Sequence, residues 1–265
     1  MRPEKLLPKK LLLVLLVLIL SATLAAAQAG GSAARDTNVT RDTIRRGNAH
    51  YAKAEYEAAI AEYESVSPNA GESYAQSLYN VGVCYFELWR TEDAVLQYRQ
   101  AIAERQGRYP VALYALGIAL EELKRPREAK DAYRLAITTS GGKHAAAHYR
   151  LGLLAADARD YEAAASFFRK AIALSRDQLP AGAGSPGGQP AWGACHNNLG
   201  VMLALSGRLQ EAKREFETAI SQTHGTLPEA ADNLKLCRAL LLSATKVELA
   251  ALRLSETIAR TAGDR

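Results

Sequence analysis

His144 and His148 stand four residues apart, the spacing at which two imidazoles on one helical face can share a zinc ion. Hydrolysis by such a centre needs a carboxylate next to the first histidine as general base, and Ala145 stands there instead. The pair is therefore expected to be an ordinary surface pair, without metal. No Gly-rich phosphate loop follows a strand pattern, no Gly-x-Ser-x-Gly elbow occurs, and no Ser, Cys or His is spaced as nucleophile and base. Cys84, Cys195 and Cys237 are too few and too scattered for a disulfide framework, and two of them fall in helical patterns as small apolar residues; a single bridge stays open. These residues predict no catalytic group, no metal and no cofactor, hence no enzyme.

The elements that carry them are organised by five glycines, Gly47, Gly82, Gly117, Gly152 and Gly200. The first four are 35 residues apart. Twelve positions after each comes an alanine (Ala59, Ala94, Ala129, Ala164, Ala212), and sixteen after comes a ring (Tyr63, Tyr98, Tyr133, Phe168, Phe216). A period in this range means stacked helical hairpins, each unable to bury its apolar face without its neighbours. A glycine inside a helix costs about 1 kcal/mol relative to alanine, so close packing between the two helices of a hairpin is predicted at each one. The small residues Val66, Ala101, Ala136, Ala171 and Ala219, three after each ring, are suited to contact with the next repeat.

From about Thr40 to Thr226 these residues resemble the tetratricopeptide repeat, and their recurrence in five copies makes the likeness specific. The position usually aromatic in the first helix is Tyr85 in the second repeat but His50, Leu120, Ala155 and Leu203 elsewhere. The resemblance implies an all-α fold, a right-handed superhelical solenoid of helical hairpins whose concave face is lined by the first helix of each pair. It also implies which residues point into that groove. Three before the glycine these include Tyr79, Tyr114, Tyr149 and Asn197; one after, Asn48, Val83, Ile118 and Leu153; four after, Phe86. Tyr79, Tyr114 and Tyr149 then form a ladder of rings with polar tips, suited to a protein partner, the alternative being that they merely wall the superhelix. Asn80 and Asn198, two before their glycines, would bond the backbone of an extended peptide or else serve a helix start or inter-repeat contact. The carboxylate clamp of chaperone-binding repeats is not formed, because Ile44, Val111 and Ala115 occupy its basic positions.

The ends complete the map. Residues 1–27 combine a basic start (Arg2, Lys5, Lys9, Lys10), an apolar run and the tract Ala25-Ala26-Ala27, and are expected to be a secretion signal or, uncleaved, an N-terminal anchor. Residues 28–39 are expected to be a flexible linker, 40–226 the five repeats, 176–193 a Gly/Pro-rich insertion containing Trp192, and 227–265 a partial sixth repeat with a capping helix. The signal segment contributes +3 of the formal charge of +5, and the rest is mixed in sign, so no basic stripe for nucleic acid remains. The reading is an exported protein, periplasmic or extracellular, that binds a peptide or helix of another protein. Alternatives are an inner-membrane-anchored assembly factor facing the periplasm, an enzyme or accessory subunit of a cell-envelope enzyme, and self-association.

Overall fold

The structure, a computed structural model, describes residues 37–178, 189–242 and 252. The expected signal and the centre of the expected insertion lie outside the described residues. Within the described residues all regular structure is helical, and no helix is long and apolar enough to cross a membrane. The helices are α1 (residues 37–51), α2 (Tyr56–Glu64), α3 (Glu72–Glu87), α4 (Thr91–Glu104), α5 (Pro110–Glu122), α6 (Pro126–Thr139), α7 (Ala145–Asp157), α8 (Tyr161–Gln178), α9 (Gln189–Leu205), α10 (Leu209–Gln222) and α11 (Pro228–Leu242).

Consecutive helices pair as hairpins, and each hairpin packs on the next. The repeating glycine sits beneath the ring of its own repeat: a Cβ at Gly82 would lie 2.7 Å from Cδ1 of Tyr98 and 3.3 Å from the carbonyl oxygen of Ala94, and one at Gly152 2.6 Å from Cε1 of Phe168. These rings are almost fully buried, as are the alanines twelve residues after each glycine. The ring therefore seats directly on bare backbone, and the core continues through the array as a chain of clusters.

The turn inside each hairpin is made the same way every time. Seven residues after the glycine, Ala54, Trp89, Lys124, Arg159 and Gly207 take positive φ, between 58° and 78°. The next amide then reaches back five residues, as in Arg125 N–H to the Leu120 carbonyl at 2.8 Å and Arg208 N–H to the Leu203 carbonyl at 2.8 Å, satisfying carbonyls that the helix end leaves open.

Two expected boundaries move. Helix α1 begins at residue 37, inside the expected linker 28–39, because no breaker separates Thr37-Asn38-Val39 from the helix that follows. Helices α8 and α9 intrude on the expected insertion 176–193, leaving only residues 179–188 between them. Nothing breaks the helix at Arg176-Asp177-Gln178, and Pro190 stands in the first turn of α9, where proline lacks no needed N–H. Helix α11 packs on α10 and also touches α9, the arrangement of the first helix of a further repeat.

Candidate functional site

The first helices of successive hairpins adjoin on one side of the array, with α3 touching α5 and α9 touching α11. This side carries the residues expected to line the groove. Asn48 is exposed at its start, its Oδ1 accepting from the Tyr63 hydroxyl at 2.7 Å. Tyr79, Asn80, Val83 and Phe86 on α3 are half-buried, as are Tyr114 and Ile118 on α5 and Leu153 on α7. Tyr79 packs between Tyr98 and Tyr109, both at 5.8 Å between ring centres, and Tyr114 between Tyr133 at 5.7 Å and His144 at 4.9 Å. Burial pushes the Tyr79 and Tyr114 hydroxyls above their ordinary range, with Arg150 opposing it at Tyr114, so both stay neutral donors.

The ladder does not continue. Tyr149 is buried at 1% exposure against Phe168, and Asn197 and Asn198 are fully buried, which takes all three out of reach of a partner. They belong instead to a relay of side-chain bonds between repeats. Asn233 Nδ2 donates to Asn197 Oδ1 at 2.8 Å, Asn197 Nδ2 to Asn198 Oδ1 at 3.2 Å, and Asn198 Nδ2 to the Tyr149 hydroxyl at 3.1 Å. A buried amide with both donor and acceptor engaged costs little, so the sixth, fifth and fourth repeats are registered by polar contacts. Asn233 lies 35 residues after Asn198, and that spacing was the signal for it.

A second polar contact joins α5 and α7. Arg150 Nη1 reaches Glu121 Oε2 at 3.2 Å, with the guanidinium almost fully buried. Burial works against its charge, but Tyr133, Glu121 and Tyr114 offset this and hold Arg150 above its ordinary value. Arg150 stands two before Gly152, the register of Asn80 and Asn198, and Glu121 four after Gly117; read singly, neither announces the pair.

His144 and His148 are not the expected surface pair. His144 Nδ1 accepts from the Ala147 amide at 3.3 Å and caps α7. His148 is buried, and its Nε2 bonds the Gly142 carbonyl at 3.3 Å, a carbonyl placed there by the left-handed Gly141-Gly142 turn. Burial lowers both imidazole pKa values. Each ring serves the backbone, and among the described residues no group of three or more His, Cys, Asp or Glu could hold a metal ion. The three cysteines are free and buried, and burial pushes the Cys84 and Cys195 thiols up to about 12.

Comparison with known proteins agrees with this geometry. The profile of the tetratricopeptide repeat family matches residues 44–110 and 114–180, half of the chain. Among solved structures, the MamA protein is similar at 20% identity and a TM-score of 0.55, over 71% of this chain and 93% of that one. YrrB, described as a TPR protein with an unusual peptide-binding site, is similar at 20% identity and a TM-score of 0.52, over 74% of this chain and 90% of that one. A tetratricopeptide repeat protein from Parabacteroides merdae is similar at 16% identity and a TM-score of 0.57, over 77% and 74%. Comparison with curated protein sequences gives no match. With five glycine-on-ring hairpins in one stacked array and half of its length matched by the family profile, the chain belongs to the tetratricopeptide-repeat family of protein-interaction scaffolds.

Proposed function

We propose that the chain is an exported adaptor that holds a peptide or helix of another protein against the open half of its concave face. The observation that carries this is the half-buried strip of Tyr79, Val83 and Phe86 on α3 with Tyr114 and Ile118 on α5. Rings with apolar bodies and polar tips bury much area at little entropic cost when a partner covers them, and Asn48 and Asn80 supply amides beside the strip. A helix laid in such a groove meets anchors at its own i, i+3 and i+4 positions. Export rests on residues 1–27, and sequencing the N-terminus of the purified protein separates a removed signal from a retained anchor.

The test is retention of partners from envelope extract by the chain carrying Tyr79→Ala and Tyr114→Ala, beside the parent, with helicity matched. A photo-crosslinker placed at Ile118 must also capture the retained protein, while one placed at Leu135, an exposed residue of α6, must not. Retention by both chains, or crosslinking from Leu135 alone, places binding elsewhere.

A further inference from the structure

Between the first and second repeats a carboxylate stands beside two rings. Glu87 closes α3, five residues after Gly82, and is half-buried. Its Oε1 accepts from the hydroxyl of Tyr51, the last residue of α1, at 3.3 Å. Tyr51 in turn packs on Tyr56, the first residue of α2, at 5.6 Å between ring centres and with the ring planes 59° apart. Both rings are half-buried. Burial, and after it the charge of Glu87, raises both hydroxyls above their ordinary range, so the rings stay neutral beside the carboxylate.

What Glu87 lacks is a cation. Glu55, Glu62 and Glu121 each have a basic side chain against them, His50 at 2.6 Å, Arg46 at 2.8 Å and Arg150 at 3.2 Å. Among the described residues no lysine, arginine or histidine pairs with Glu87 in this way. The same position in the next two repeats is again acidic: Glu122 and Asp157 are exposed and likewise unpaired among the described residues. A partly desolvated carboxylate bonds a cation more strongly than an exposed one does, and neighbouring ring faces attract the same cation through their quadrupoles.

We propose that Tyr51, Tyr56 and Glu87 form a subsite for an alkylammonium group, the end of a lysine side chain on the bound segment. The inference rests on the reading of the concave face as a peptide groove. Tyr51 and Phe86 hold the same position in successive repeats, four after the glycine, so the subsite extends the strip of Tyr79, Val83 and Phe86 by one repeat. Lysine suits it better than arginine. With Oε1 already accepting from Tyr51, the carboxylate offers Oε2 to a point donor, whereas a guanidinium fork bonds best to both oxygens at once. The partner segment is thereby assigned a lysine over the first and second repeats, and Glu122 and Asp157 favour a basic character along the rest of it.

Fluorine NMR of the full chain labelled with 3-fluorotyrosine tests it, with n-butylammonium, tetramethylammonium and neutral n-butanol as probes. The Tyr51 and Tyr56 signals should shift saturably with butylammonium and not with butanol. Tetramethylammonium, which has no N–H for the carboxylate, should bind more weakly. Glu87→Gln keeps an acceptor for Tyr51 and should weaken butylammonium by about tenfold or more. Tyr56→Leu should weaken it by about two- to fivefold. Saturation that Glu87→Gln leaves unchanged, or an equal response to butanol, overturns the subsite, and tighter binding of tetramethylammonium overturns the choice of lysine. These titrations need no partner protein, so they fail or succeed separately from retention by the Tyr79→Ala, Tyr114→Ala chain. Acetylating the lysines of the envelope extract distinguishes a peptide lysine from a free amine: it should abolish retention by the parent chain, and retention of the acetylated partner overturns the assignment to a peptide lysine.

Discussion

Asn198 of α9 donates through Nδ2 to the hydroxyl of Tyr149 on α7, at 3.1 Å and with both side chains buried. The bond ties two repeats through positions equivalent in register to Tyr79 and Asn80. Replacing Asn198 by Leu removes a donor from Tyr149 and an acceptor from Asn197 at once, and buried polar groups left short of a partner cost about 1–3 kcal/mol. Asn198→Leu is therefore expected to lower stability by roughly 2 kcal/mol in urea unfolding, whereas Asn80→Leu, at the same register on the half-buried part of the face, should change it by less than about 0.5 kcal/mol.

Two substitutions within the third repeat should act in opposite directions. A Cβ at Gly117 would meet the Tyr133 ring, which is fully buried and hemmed in, so Gly117→Ala overpacks the site. Overpacking costs about 1–3 kcal/mol, against about 1 kcal/mol gained in helix propensity, and a net loss of roughly 1 kcal/mol is expected. Lys124, seven residues on, holds φ at 58° in the hairpin turn, a region where a side chain is strained and glycine is not. Lys124→Gly should stabilise by about 0.5–1 kcal/mol. Thermal midpoints followed by helicity should fall for the first and rise for the second.

The period of the fold is legible in the sequence because a missing side chain and a large ring must recur together, as Gly82 does with Tyr98 and Gly152 with Phe168. The turns are less so. Ala54, Trp89, Lys124 and Arg159 are not typical left-handed residues, and only Gly207 signals the conformation that all five adopt. Gly/Pro content overstated the insertion because Pro190 is a helix start rather than a break. For the groove, register shows which residues share a face but not what covers them. Tyr79 and Tyr149 occupy the same position, and one is half-buried while the other is sealed by contacts distant in sequence.

Glu121 and Arg150 join neighbouring repeats through one buried ion pair. Removing one partner leaves a charge in a site that cannot solvate it, while replacing both by apolar residues of similar size removes the desolvation cost along with the attraction. Glu121→Leu alone is expected to destabilise by about 2–4 kcal/mol. The double substitution Glu121→Leu with Arg150→Met should recover most of that loss, and a double-mutant cycle by urea unfolding reads the coupling directly. An additive double variant would show that the pair is not coupled.

His148 makes stability depend on pH between the titration ranges of carboxylates and thiols. Its Nε2 bonds the Gly142 carbonyl, its Nδ1 is buried with no partner among the described residues, and Phe167 lies 6.2 Å away between ring centres. Protonation would put a bare N–H and a charge into that site, with Lys170 also opposing it, so the folded-state pKa lies below the ordinary value of 6.5. Between those two values the unfolded chain binds more protons than the folded one, and stability rises with pH across that window. The contribution is complete above about pH 6.5 and is lost as the pH falls through the folded value. His144, lowered by burial as well, adds in the same direction. Urea midpoints measured from pH 7.5 down to pH 5 should therefore fall, and His148→Gln, which keeps a donor for Gly142 but cannot titrate, should flatten the slope. An unchanged slope in that variant would assign the pH dependence to groups other than His148.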